Sequence, residues 1–379
     1  MSEAGKPLAG LRVVELGQVI AGPYAGAIFA DLGAEVTKIE RLDGGDDARH
    51  MGPPFRYGDA LPFQTYNRGK QSVALDLKAA ADLAVFEELV ARADILVHNL
   101  RPGVVDAMGI DGPALCQRHP RLVYCEVSAF GQGGPLDQRP GYEPLIQAYS
   151  GLSSTNGGPD DPPVRMGASV CDQGSGMWMV IGALSLLHRR HATGRGGMVN
   201  TSLLETALCW NGLKNDSYVN LGVVPARHAS GHPGFVPYQA FDTATGPLLV
   251  CCGNDRLFAK LAAAVGQPKW STDPHFATNR DRIAHQHELL PLLQELLLAA
   301  DRDTWVRRLE AVGVPCSPVH SLPEALAQPQ VQSLGMLVPV AGEDFRLTGL
   351  PLRIDGVRPA IDGRAPALGG NDPRGAGKQ

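Results

Sequence analysis

Hydrophobic positions in the first third of the chain follow two different periods. Short, nearly unbroken aliphatic runs at residues 11–16, 35–39, 73–77, 95–99 and 122–130 have the length and β-branched content of strands buried on both faces. Between them, residues 24–32 and 79–92 carry apolar positions at helical spacing, so strand and helix alternate along the chain. That alternation predicts an α/β fold: a parallel sheet covered on both sides, in a Rossmann-like, doubly wound large domain.

The pattern then breaks. Residues 131–166 are dense in glycine and proline, which mark turns and exposed loops where ligand-binding groups tend to lie. A long apolar helix is expected from about residue 175 to 190. It ends at Thr193-Gly194-Arg195-Gly196-Gly197, with basic residues in its last turn and glycine beyond. Past residue 215 come a Gly/Pro loop at 231–234, a strand pair near 239–243 and 248–252, and helices over 256–265, 288–300 and 304–312. The expected organisation is a large domain over 1–210, completed by 325–379 packing back or reaching across a partner chain, and a smaller α/β domain over 215–320. No segment recurs at a fixed period.

Composition narrows the function classes. With 379 residues, 44% hydrophobic and 19% charged, the chain has ordinary globular make-up and enough length for a large core. A net charge of −5 gives no general attraction to nucleic acid or to an anionic membrane, so any anionic ligand must be held by local cations. The first residues lack a basic stretch followed by an apolar one. The longest mid-chain apolar run, Met177 to Leu187, is shorter than the roughly 20 residues that cross a bilayer. A cytoplasmic protein is expected. Seven cysteines, an odd number without a C-x-x-C pair, argue against a disulfide framework or a cysteine-zinc site and read as reduced thiols.

Common cofactor motifs are missing. The first strand-to-helix turn, Gly17-Gln18-Val19-Ile20-Ala21-Gly22-Pro23-Tyr24-Ala25-Gly26, does not match G-x-G-x-x-G, so a dinucleotide in the usual mode is not expected. P-loop and H-E-x-x-H patterns are absent and the histidines show no ligand spacing, so no metal is assigned. The segment that stands out is Val170-Cys171-Asp172-Gln173-Gly174-Ser175-Gly176, a carboxylate before two glycines and the long apolar helix. Glycines there let a bulky ligand approach, and free N–H groups at a helix start favour an ionised, attacking carboxylate. The same residue also suits a plain helix cap. Cys171 is expected to pack rather than attack.

The chain resembles the family III CoA-transferases, which group formyl-CoA and carnitine CoA-transferases with α-methylacyl-CoA racemase. The matching stretches are Leu8-Ala9-Gly10-Leu11-Arg12-Val13-Val14-Glu15-Leu16, Asp31 to Arg41, Asn67 to Lys78, and Ala93 to Gly103; they continue through Asp172 to Gly196. The resemblance implies that Asp172 is the catalytic aspartate and Tyr142 an active-site tyrosine. It puts Arg41, Lys78, Asn99 and Met108, with Arg101 of the same matching stretch, along the coenzyme A groove. It also implies an interlocked homodimer of ring-shaped chains, with acyl-CoA and a carboxylic acid as substrates and no permanently bound cofactor.

In the implied chemistry, Asp172 attacks the donor thioester, coenzyme A returns to give an aspartyl thioester, and the acceptor acid repeats the exchange. Backbone N–H groups near Gly174 and Gly176 are expected to hold the oxyanion. Gly231 and Gly234, in Ser230-Gly231-His232-Pro233-Gly234, belong either to a flap over the site or to an interdomain turn. Ile20, Met51 and Pro140 stand where formyl-CoA transferase has polar residues, which suggests a less polar acyl pocket and disfavours formate and oxalate. Two rival readings remain: a racemase on the same scaffold, and a coenzyme A binding protein without catalysis. In Pro140-Gly141-Tyr142-Glu143 a tyrosine replaces the histidine of the racemases, and a phenol of ordinary pKa near 10 is a poor base at neutral pH.

Overall fold

The computed structural model describes residues 6–372 and residue 374. Chain contacts divide it into two units, Met1–Ser153 with Arg165–Val223 and Gln332–Gln379, and Ser154–Val164 with Val224–Val331. The change of composition expected near residue 215 falls within the last helix before that division.

In the first unit the chain runs β1 (Arg12–Leu16), α1 (Ala21–Asp31), β2 (Glu35–Glu40), a short hairpin of β3 (Phe55–Arg56) and β4 (Asp59–Ala60), and α2 (Leu61–Asn67). It continues with β5 (Gln71–Ala74), α3 (Ala80–Ala91), β6 (Ile95–His98), α4 (Val104–Ala107), α5 (Gly112–Arg118) and β7 (Val123–Ser128). Then come α6 (Glu143–Tyr149), α7 (Val170–Thr193), β8 (Gly197–Ser202), α8 (Leu203–Trp210) and α9 (Gly212–Leu221). Six strands form one sheet in the order β5-β2-β1-β6-β7-β8, every pair parallel. Counting only the strands of this sheet, that order is the 3-2-1-4-5-6 of a Rossmann fold.

The period of two along each strand explains the layering. Val13, Ile95, Val97, Val123 and Cys125 point to one face, where they meet Phe29 of α1 and Met179 and Ala183 of α7. Their neighbours Val14, Leu96 and Tyr124 point to the other, against Phe86 and Val90 of α3 and Leu115 of α5. Both faces are thus covered, which is why the strand runs are unbroken rather than alternating.

Helix α7 is longer than the expected 175–190 and begins five residues earlier. It ends as expected, with Gly194 in the left-handed region (φ 71°) donating its N–H to the Arg190 carbonyl. By length and composition it is the one described helix able to cross a membrane, yet Cys171, Met179, Val180, Ala183 and Leu187 are buried within the unit. It crosses α1 closely: a Cβ on Gly176 would lie 2.8 Å from the Ala21 carbonyl oxygen.

The second unit packs an antiparallel sheet of β9 (Tyr238–Thr243), β10 (Gly246–Cys251) and β11 (Cys316–Pro318), in the order β11-β10-β9. Its helices are α10 (Asp255–Ala264), α11 (Asn279–Ala284), α12 (Gln286–Leu297) and α13 (Arg302–Ala311). Phe258, Leu261, Leu289, Leu293, Trp305 and Leu309 form its core. Arg282 is wholly buried there, its guanidinium 4.3 Å from the Phe258 ring centre and hydrogen-bonded to the carbonyls of Val236 and Phe276 and to Asp255.

Candidate active site

In a doubly wound sheet, a crevice opens at the carboxyl ends of the two strands between which the winding reverses. Here those strands are β1 and β6. A cavity of about 390 Å³ lies there, lined by Gln18–Ala21 after β1, Asn99–Pro102 after β6, Val127–Ala129 at the end of β7 and Leu203 after β8. Arg41, Asp47, Val104, Arg139–Tyr142 and Asp172 complete the lining.

The turn after β1 has no capping side chain of its own and holds Val19 at φ 64°, a conformation disfavoured for a β-branched residue. Distant side chains hold it in place. The Asn99 amide accepts from the Gln18 N–H at 2.7 Å and donates to the Gln18 carbonyl at 2.8 Å. Asp46 accepts from the Val19 N–H at 3.0 Å, and Lys38 donates to the Gly17 carbonyl at 2.6 Å. Lys38 is wholly buried, in ion pairs of 2.9 Å with both Glu15 and Asp46. Burial alone would lower its pKa, but Glu15, Asp46 and Glu40 outweigh that and raise it, so it stays charged. Lys70 shares Glu15 at 2.6 Å, and burial pushes its pKa down to about 8.

Asp172 sits in the first turn of α7, not ahead of the helix. The N–H groups that were expected to favour its charge have another acceptor. Glu143, buried at the start of α6, accepts from Cys171 N–H at 3.1 Å and from Asp172 N–H at 2.7 Å. Gln147 holds that carboxylate with a further bond of 2.7 Å. Burial, followed by the charge of Glu143, pushes the Asp172 carboxyl up to about 7 rather than down. Its oxygens accept no hydrogen bond from any described residue, so the carboxylate faces the cavity uncommitted. Burial likewise raises the neighbouring Cys171 thiol, which stays protonated in the core.

Of the residues singled out in the sequence, the cavity brings together Ile20, Arg41, Asn99, Arg101, Tyr142 and Asp172. Tyr142 is 62% exposed at the N-cap of α6. Arg41 is partly committed, donating to the Gly45 carbonyl and to Asp47. Lys78, Met108, Met51 and Gly174 are not among the lining residues. Lys78 is exposed beyond β5, Met108 packs on the core beneath α4, and Met51 is 46% exposed after the Asp47–His50 turn. Gly174 faces α8: a Cβ there would lie 2.7 Å from Thr206 Cγ2. Because α7 starts at Val170, the N–H groups of Gly174 and Gly176 fall inside its hydrogen-bonded ladder, which corrects the expectation that they serve as oxyanion donors. Gly231 and Gly234 form a turn of the second unit, closed by the bridge between His232 and Phe235.

Two groups escaped the sequence reading, one behind the cavity wall and one on it. Glu143 was visible only as the neighbour of Tyr142; its grip on the α7 terminus, 29 residues on, needs the fold. Arg139 lines the same cavity as Tyr142, and its side chain makes no hydrogen bond or ion pair with a described residue, its guanidinium resting 5.5 Å from the Phe130 ring centre. The cavity is therefore less apolar than Ile20 and Pro140 suggested.

Residues 8–372 match the sequence family described as CoA-transferase family III. The chain is 38% identical to acetyl-CoA:oxalate CoA-transferase of Acetobacter aceti, over 89% of this chain and 86% of that one. It is 35% identical to succinate–glutarate CoA-transferase of Agrobacterium fabrum, over the same shares. The solved structure of a CaiB/BaiF family protein from Brucella suis superposes with a TM-score of 0.88 at 34% identity, covering 96% of this chain and 97% of that one.

Proposed function

The chain belongs to CoA-transferase family III and moves coenzyme A between an acyl thioester and a free carboxylic acid; we propose that it does so covalently, through Asp172. The observation that carries this reading is a half-buried carboxylate on the wall of the switch-point cavity with no hydrogen-bonding partner of its own. Of the other lining groups, Asp47 is paired with Arg41, and the Asn99 amide is spent on the Gln18 backbone.

Ionised Asp172 attacks the thioester carbonyl, and collapse of the adduct breaks the carbon–sulfur bond, leaving a mixed anhydride and coenzyme A thiolate. The thiolate attacks the aspartyl carbonyl of the anhydride, which releases the donor acid and leaves an aspartyl thioester. The acceptor carboxylate then attacks that thioester, giving a second mixed anhydride and thiolate. Attack of the thiolate on the acceptor's acyl carbon forms the new acyl-CoA and frees Asp172. Tyr142, on the same wall, is the group we assign to donate to the oxyanion, an interaction worth about 3 kcal/mol. Gly174 serves the site indirectly, by letting α8 approach α7.

Arg41, Asn99 and Arg101 line the end of the cavity we assign to coenzyme A, whose phosphates suit guanidinium groups. Lys78 and Met108 extend that groove on the family resemblance alone. Arg139 is left for the acid, and a cation in the same cavity as Asp172 fits a substrate with a second carboxylate. The oxalate and succinate–glutarate enzymes among the relatives point the same way. Ile20 then packs against the carbon chain between the two carboxylates, and we keep Met51 as an outer element of the substrate pocket.

A homodimer, interlocked as the family resemblance implies, gives α9 a partner. None of its ten residues is buried, and Leu213 (82%), Val219 (78%) and Leu221 (76%) face outward. A cytoplasmic location accords with seven free cysteines.

Hydroxylamine tests the covalent step. Incubation with an acyl-CoA and then hydroxylamine is expected to leave a hydroxamate on the peptide containing Asp172. A racemase or a passive binder gives none. Retained turnover in Asp172→Ala would refute the assignment.

A further inference from the structure

The second unit carries a cluster that the transfer chemistry does not use. His275, in the turn after the Pro268–Thr272 helix, meets His285 and Glu288 at the junction of α11 and α12. One ligand atom from each of the three lies within 4.8 Å of the other two. The sequence does not display the set as a motif, because only His285 and Glu288 are three apart; His275 comes from a separate segment ten residues earlier.

We propose that His275, His285 and Glu288 form a binding site for a zinc-class divalent ion. Two imidazoles and one carboxylate are the donor types such ions take. Metal–ligand bonds of about 2.0–2.1 Å put tetrahedral ligand atoms about 3.3 Å apart, so the cluster needs a closure of little more than an ångström. Side-chain rotation supplies it: the side chains of His275 and Glu288 are 53% and 41% exposed. The backbone is firm, since Phe276 and Leu289, each next to a ligand, are buried in the unit's core.

The hydrogen bonds around the cluster already orient it. His285 Nδ1 lies 2.9 Å from the Asp281 carbonyl oxygen, an acceptor only, so Nδ1 carries the proton and Nε2 keeps a free lone pair. His275 Nδ1 contacts Glu288 Oε2 at 3.1 Å, and its ring stacks on that of His285 with centres 4.1 Å apart and planes 7° from parallel. Binding would swing the exposed His275 ring out of the stack. His287 Nε2, 3.7 Å from Glu288 Oε1, stands ready as a fourth donor, or water completes the shell. The ion would tie the turn at 273–278 to the α11–α12 junction.

The test uses the full chain, stripped with chelator and titrated with zinc chloride by calorimetry, with cobalt(II) as a spectroscopic substitute. Expected are one equivalent bound with a dissociation constant below about 100 µM and a visible cobalt band of tetrahedral strength. His285→Ala and Glu288→Gln, both at partly exposed positions, should each weaken binding more than tenfold, while His228→Ala leaves it unchanged. Absence of saturable zinc binding in the unaltered chain, or affinity unchanged in both ligand variants, overturns the proposal; neither outcome bears on Asp172.

Discussion

Replacing Glu143 with glutamine should move the acid limb of the enzyme's pH profile downward. In the proposed mechanism Asp172 attacks only when ionised, and two causes, burial first and the Glu143 charge second, push its carboxyl up to about 7. Glutamine keeps the volume and one oxygen acceptor but removes the charge. Of the rise from 3.8 to about 7, the Glu143 charge accounts for the smaller share, so with burial left in place the limb should fall by about one pH unit and by no more than about 1.6. The cap also suffers, because the amide NH₂ must face one of the two N–H groups at 2.7 and 3.1 Å. A stability loss of about 1–2 kcal/mol should accompany the shift. The assay is kcat/KM from pH 5 to 8.5, with an acceptor acid ionised throughout, alongside a denaturant titration of each protein. A limb that stays near 7, or moves up, would show that Glu143 does not set the acidity of Asp172.

Asp172→Asn should lose turnover by several orders of magnitude while coenzyme A affinity stays within about tenfold. The same variant should be more stable above pH 7: a carboxyl whose folded pKa is raised favours folding at low pH and loses that contribution as pH rises through 7, so removing it gains of order 1–3 kcal/mol at pH 8 by chemical denaturation. Arg139→Ala should raise KM for a dicarboxylic acceptor at least tenfold and leave a monocarboxylic acceptor nearly unchanged; equal effects on both would remove Arg139 from the acid pocket. Gly176→Ala should destabilise the protein by about 1–3 kcal/mol, read as a lower denaturation midpoint, because the new methyl meets backbone, the Ala21 carbonyl at 2.8 Å, which cannot rotate away.

Much of the first unit was written locally. Most strands of its sheet are short aliphatic runs, so the pattern of apolar positions placed β1, α1, β2, α3, β6 and β7 to within a few residues, whereas β8, Gly197-Met198-Val199-Asn200-Thr201-Ser202, carries no such run and escaped. Asp172 stood out beside its Gly-x-Gly pair, but the local pattern suited a helix cap as well, and only the family resemblance pointed to it as the nucleophile. The start of α7 was not legible. Nothing local marks Val170 as its first residue; the Glu143 carboxylate, from another segment, accepts the N–H groups of Cys171 and Asp172 and caps that first turn.

Local pattern thus marked most of the strands and helices of the first unit and drew attention to the Asp172 carboxylate, because both follow from side-chain type and spacing along a short stretch. Tertiary structure alone decided the acidity of that carboxylate, the strained turn at Val19 and the placement of Arg139 in the cavity. Each depends on charges and hydrogen-bonding partners brought together from dozens of residues away, and electrostatic energy depends on distance through space, not along the chain.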